Sequence, residues 1–176
     1  MTIYKKNVMK AKNIQQLLIV FGLALCTLFI FSGCSSSKKT EKLRPQDVSN
    51  MINAKNFTFI AERVNPLRGP SRNLTSPYDV KVNKDTINCY LPYFGRAHQA
   101  PIDPSKAALI FQSMDFSYNV TEKAKDEWQV YIDPKDNSEV QQLLFEVFGN
   151  GRATLNVQNT NRDPISFYGY VTKNKD

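Results

Sequence analysis

Between residues 90 and 101 the chain reads YLPYFGRAHQAP, its densest run of side chains able to do chemistry. Tyr90, Tyr93 and Phe94 offer faces on which a sugar or a headgroup stacks. Arg96 carries a planar fork of donors suited to a phosphate or carboxylate, and His98 carries a titratable ring. Together they describe the mouth of a ligand pocket, with Tyr90, Tyr93, Phe94, Arg96 and His98 as candidate binding residues. The same residues also fit a structural reading, in which Tyr93 and Phe94 cover one end of a core, Gly95 turns the chain and Arg96 caps carbonyls.

A catalytic reading needs more than His98. A nucleophilic triad requires a partnered Ser or Cys, and the chain has no GxSxG or Cys–His signature. The 16 acidic residues are scattered, and Asp133-Pro134-Lys135-Asp136 reads as a turn. No catalytic residue is therefore assigned, and an enzyme ranks third among the functional readings. One histidine and three cysteines, at 26, 34 and 89, cannot build a structural zinc site, and no cofactor is called for.

The first sixteen residues hold four lysines and no acid, and residues 17–31, LLIVFGLALCTLFIF, hold no charge. Fifteen helical residues rise only ~22 Å, short of a ~30 Å hydrocarbon core, so the pattern is that of an export leader. FSGC, residues 31–34, resembles a bacterial lipobox, although Phe31 stands where leucine is usual. That resemblance implies cleavage after Gly33 and diacylation of the Cys34 thiol. Two or three acyl chains then anchor the protein stably, at ~0.8 kcal/mol per buried methylene. The SSSKKTEKLRPQ that follows is a hydrophilic tether. By resemblance to the sorting rule of some bacteria, Ser35 in place of an aspartate implies the outer membrane; no acidic run follows Cys34 to signal display on the cell exterior, so the periplasmic face is expected.

The organisation expected is a leader at 1–33, a lipidated cysteine and tether at 34–46, and a single domain at 47–176. Four of the 23 Lys+Arg precede Cys34, leaving 19 against 16 Asp+Glu, a net +3 that gives no nucleic-acid footprint. Only Cys89 remains after acylation, so the domain relies on its apolar core and on no disulfide.

Past a short helix near Pro45, the apolar period becomes two. Phe57/Phe59/Ala61, Tyr78/Val80/Val82, Ile87/Cys89/Leu91, Trp128/Val130/Ile132, Ala153/Leu155/Val157 and Ile165/Phe167/Gly169/Val171 each form one face of a strand. Met114/Phe116/Tyr118/Val120 is another. EVQQLLFEVF, 139–148, also fits a helix, but the GNG that follows and the returning RATLNV favour a hairpin. The fold expected is all-β: an antiparallel sandwich or barrel-like meander of about eight strands with one short N-terminal helix. Residues 65–77 and 92–106 are expected as long loops.

LPYFGRAHQAP, together with LTSPYDVKV, NGRATLNV and NRDPISFYGYV, resembles the Bacteroidetes envelope lipoproteins of domain of unknown function 4251, over residues 57–171. The resemblance implies an exported lipoprotein with a β-rich body and carries no activity and no site residues. The function expected is noncatalytic: binding an apolar or amphipathic molecule, lipid- or glycan-like, inside or at the mouth of the β-structure. The alternative is an interaction module for another envelope protein, marked by exposed aromatics such as Tyr168 and Tyr170.

Overall fold

The computed structural model describes residues 43–98 and 108–174; the leader, Cys34 and most of the tether lie outside the described residues. Among the described residues one helix, α1 (Pro45–Asn53), precedes nine strands. These are β1 (Phe57–Pro66), β2 (Arg72–Val82), β3 (Ile87–Leu91), β4 (Leu109–Ser113), β5 (Phe116–Ala124), β6 (Glu127–Pro134), β7 (Val140–Phe148), β8 (Arg152–Asn159) and β9 (Ile165–Lys173). They make one antiparallel sheet in the order β4-β3-β2-β1-β9-β8-β7-β6-β5. The sheet curls into a half-barrel, so the barrel-like arrangement is realised and not two packed sheets.

Two meanders, β1–β4 and β5–β9, are joined by the pairing of β1 with β9, from Phe57 opposite Lys173 to Pro66 opposite Ile165. In a nine-stranded antiparallel sheet the two outermost strands run in the same sense. Here those strands, β4 and β5, are consecutive in the chain and separated only by Met114 and Asp115. The chain thus steps from one edge of the sheet to the other without turning back. Asp136 fastens the step. Its carboxylate accepts from the Ser113 hydroxyl at 2.5 Å and from the backbone N–H groups of Met114 at 2.8 Å and Asp115 at 3.3 Å. The Lys135 N–H donates to the Asp115 carbonyl at 2.7 Å. These bonds hold the Asp136 carboxyl below its ordinary value, the Ser113 hydroxyl most of all.

The concave face is filled with apolar side chains. Phe57, Phe59, Phe145 and Phe167 are fully buried, and Phe145 meets Phe57 and Phe59 edge to face with ring centroids 5.7 Å apart in each pair. Every inward face expected of β1, β3, β6, β8 and β9 is buried. Buried Cys89 behaves as one of these apolar residues, and burial pushes its thiol far above the ordinary range.

Helix α1 lies across the end of the curl where β2–β3, β5–β6 and β7–β8 turn, the proximal end. Val48, Met51 and Ile52 face the core. The Tyr118 hydroxyl donates to the Ile52 carbonyl at 2.7 Å, tying the helix to β5. At the other end of α1, Leu43 and Pro45 pack so closely on Gly151 and Gly149 that an added Cβ would meet them at 2.9 and 3.0 Å. The helix stops in a Schellman turn: the N–H of Asn56 reaches the Met51 carbonyl and that of Lys55 the Ile52 carbonyl, with Lys55 left-handed at φ 51°.

The strand count exceeds the expected eight because LIFQS, next to the long 92–106 stretch, forms β4. Met114, expected on an inward face, sits in the edge-to-edge step and is 71% exposed. Residues 72–77, expected as loop, extend β2 past an irregularity opposite Ala61 and Arg63. In β7 a bulge between Val140 and Gln142 shifts the inward set from Val140 to Leu143, which explains the helix-like spacing of that segment.

Candidate functional site

The end of the sheet opposite the helix, the distal end, gathers the polar residues. Past β3, buried Pro92 delivers Tyr93 over the end of the core, where its hydroxyl lies 3.0 Å from the carbonyl oxygens of both Arg96 and Asp163. Partial burial, and then the Asp163 charge, push that hydroxyl above its ordinary value. The Arg162 guanidinium stands 5.2 Å over the Tyr93 ring and donates to Glu139 at 3.1 Å. Both Arg162 and Asp163 are buried, which is unusual for charged residues and requires partners.

Asp163 draws the β3–β4 and β1–β2 connections together. Its Oδ1 is 3.3 Å from Nε2 of His98, and its Oδ2 is 3.8 Å from Nε of Arg68. Backbone bonds run alongside: His98 N–H to the Asn161 carbonyl at 2.8 Å and Asp163 N–H to the Arg96 carbonyl at 3.0 Å. The Asn159 amide donates to the Asp163 carbonyl at 3.2 Å. His98 therefore does sit beside a buried acid, the pairing that would orient a general base. Here the pair belongs to a set of bonds that clasps residues 93–98 to the β8–β9 turn.

The five sequence candidates divide. Tyr93, Arg96 and His98 share the clasp, Arg96 through its carbonyl while its side chain is exposed. Phe94 is 39% exposed and carries the Arg72 guanidinium 5.2 Å from its ring. Tyr90 lies apart on the convex face of β3, where its ring stacks on Tyr78 at 5.5 Å. It is opposite Ile110 of β4, and the two are 48% and 57% exposed.

Ile110 leads to an opening that sequence reasoning did not find. Between β4 and the β6–β7 turn lies a cleft of about 520 Å³. One wall is Leu109, Ile110 and Phe111; the other is Asp136, Asn137, Ser138 and Glu139. The cleft lies next to the bonds by which Asp136 holds Ser113, Met114 and Asp115. Glu139 joins it to the clasp through Arg162. Asn137 shapes the polar wall, its side-chain oxygen accepting from the N–H groups of Glu139 and Val140 at 2.8 and 3.0 Å. One apolar and one oxygen-rich wall suit a ligand with a greasy face and hydroxyl or amide donors. The available signal was NRD in the β8–β9 turn, which reads as turn chemistry and hides the charges that fold inward.

Among the described residues, no helix is long and apolar enough to cross a membrane, and no three His, Cys, Asp or Glu residues converge as a metal site. Among curated proteins none matches the chain. A solved structure, the crystal structure of a DUF4251 family protein from Bacteroides eggerthii DSM 20697, is similar at a TM-score of 0.51 and 14% identity. The match covers 73% of this chain and 87% of that one, and at this identity it bears on the fold alone. The model of the family described as Domain of unknown function (DUF4251) matches residues 39–171, and on that extent the chain belongs to the DUF4251 family.

Proposed function

We propose that this protein is a noncatalytic lipoprotein, held by acylated Cys34 on the periplasmic face of the outer membrane, that binds an amphipathic lipid- or glycan-like molecule in the cleft beside β4. The observation that carries the reading is the two-sided wall of that cleft, Leu109, Ile110 and Phe111 against Asp136, Asn137 and Glu139. Exposed Ile110 and Tyr90 extend its apolar side onto the convex face. The phenylalanines that fill the concave face favour a ligand held at the seam over one held inside the sheet.

Native mass spectrometry of the chain from Ser35 onward, exported into its own periplasm, tests the binding. A reproducible added mass, lost on organic extraction and reduced by Ile110→Asp, is expected. A clean unliganded mass refutes it. That outcome favours the second reading, an interaction module for another envelope protein, for which the exposed Tyr168 at 43% and Met114 at 71% speak. Cys34→Ala is expected to leave a folded, soluble domain; continued tight membrane fractionation would remove the anchor from the proposal.

A further inference from the structure

The proximal end carries a cluster of lysines that neither the cleft nor the core uses. A hollow of about 460 Å³ is lined by Lys55, Lys81 and Lys84, with Asn56, Asn83 and Asn174 among its other walls and Asp85 as its one carboxylate. Lys173 lines the adjoining groove at the same end, and Asn56 borders both. Among the described residues no ion pair engages these four lysines, whereas Arg44, Lys123, Arg152 and Arg162 each have a carboxylate. Lys55 is held instead over the rings of Phe116 and Tyr118, 5.9 and 5.0 Å from their centroids.

The backbone beneath the cluster is bonded together. Asn174, itself buried, accepts from the Thr58 hydroxyl at 2.6 Å and donates to the Val82 carbonyl and the Asn83 side chain at 2.9 and 2.8 Å. That bracket fixes β1, β2 and the chain end beneath the lysines.

The position of the cluster indicates its partner. The chain enters the domain at this same end: Leu43 and Arg44 share a groove with Lys173 and Asn56. From Cys34 to Leu43 the chain spans nine residues, at most about 30 Å when fully extended. An anchor at Cys34 therefore keeps the proximal end within that distance of the bilayer surface. We propose that Lys55, Lys81, Lys84 and Lys173 form a membrane-facing surface that binds the phosphates of anionic lipid headgroups and sets the domain upright, with the cleft at the distal end facing away. The inference rests on the Cys34 anchor for its orientation, while the headgroup contact is measurable without it.

The test uses the chain from Ser35 onward, which keeps every strand, the helix and the whole described core. Co-flotation is measured with vesicles of phosphatidylcholine alone and of phosphatidylcholine with about 30 mol% phosphatidylglycerol. Partitioning is expected to be at least about tenfold higher on the anionic vesicles at low salt and to fall toward the neutral value as salt screens the charges. Each lysine replaced by glutamine is expected to lower it about fivefold, and the triple variant Lys81→Glu/Lys84→Glu/Lys173→Glu to abolish it. Trp128 fluorescence verifies that the variants are folded. The distal control Arg72→Gln/Arg96→Gln is expected to bind as the parent does. Equal partitioning on the two vesicles, a triple variant that still floats, or a distal control that loses as much would each overturn the proposal. Fractionation of Cys34→Ala in high salt, which screens the lysine contact and leaves an acyl anchor in place, reads the anchor separately, so failure of one is not mistaken for failure of the other.

Discussion

Replacing Phe145 probes the filled concave face on which the seam-binding reading depends. The ring is fully buried, lies opposite Val130 of β6 and Leu155 of β8, and is the shared partner of the edge-to-face contacts with Phe57 and Phe59. Truncating a buried phenylalanine to alanine costs about 3–5 kcal/mol in lost transfer energy and cavity. An edge-to-face pair adds about 0.5–1.5 kcal/mol beyond area burial. Phe145→Ala is thus expected near the top of its range, while Phe145→Leu, which keeps most of the volume but loses both ring pairs, is expected to cost about 1–3 kcal/mol. Urea unfolding followed by Trp128 suits the measurement, because this is the sole tryptophan and it is 6% exposed. With a slope of about 2 kcal/mol per molar urea, the alanine variant should unfold about 2 M earlier at unchanged slope. A loss below about 2 kcal/mol for alanine, or equal losses for alanine and leucine, would show that the concave face is looser than described.

Three further outcomes are expected. Asp133, bonded to Gln142 and Ser117 at 2.9 Å each, and Asp136 both titrate below the ordinary carboxyl value of 3.8. Their depressed values stabilise the fold above the unfolded value and lose that effect as pH falls through the folded one, so the melting temperature should be level above about pH 5 and fall below about pH 4. Asp136→Asn should make that fall shallower, and an equally steep fall in the variant would assign the acid sensitivity elsewhere. Gly169→Ala should prevent folding or cost more than about 4 kcal/mol, because its Cβ would overlap the Ile60 carbonyl oxygen across the β1 bulge; a soluble variant with parental stability would contradict the register of β9. Cys89, 3% exposed with its thiol pushed up by burial, should resist a thiol reagent in the native protein and react fully in denaturant, whereas fast native labelling would place it at the surface.

The period-two faces were legible because each inward strand position had to be apolar to fill one side of a sheet, as at Phe57/Phe59 and Ile165/Phe167. What the pattern could not carry was curvature and closure. Those depend on Ser113 and Asp136, a short hydroxyl and an ordinary turn carboxylate whose partnership spans 23 residues. The β7 bulge broke the parity that reveals a strand, and β4 has only five residues. At the distal end the aromatics and His98 announced themselves by type. Asp163 and Arg162 did not, since a buried charge in a turn has the same local sequence as an exposed one. The cleft was illegible for a related reason: its two walls come from segments about 28 residues apart, brought together only by the step from β4 to β5.

The pairing of β1 with β9 makes the first and last strands the middle of the sheet, with Thr58 bonded to Asn174 across 116 positions of sequence. Each meander closes through neighbouring hairpins, but the two halves unite only when the final strand arrives. On the export proposed above, a chain threaded amino end first would wait for its last strand before its core could close. A truncation of the last twelve residues, from Ile165 on, would remove a central strand and cut the sheet into two four-stranded pieces, each with a new open edge where β9 had been.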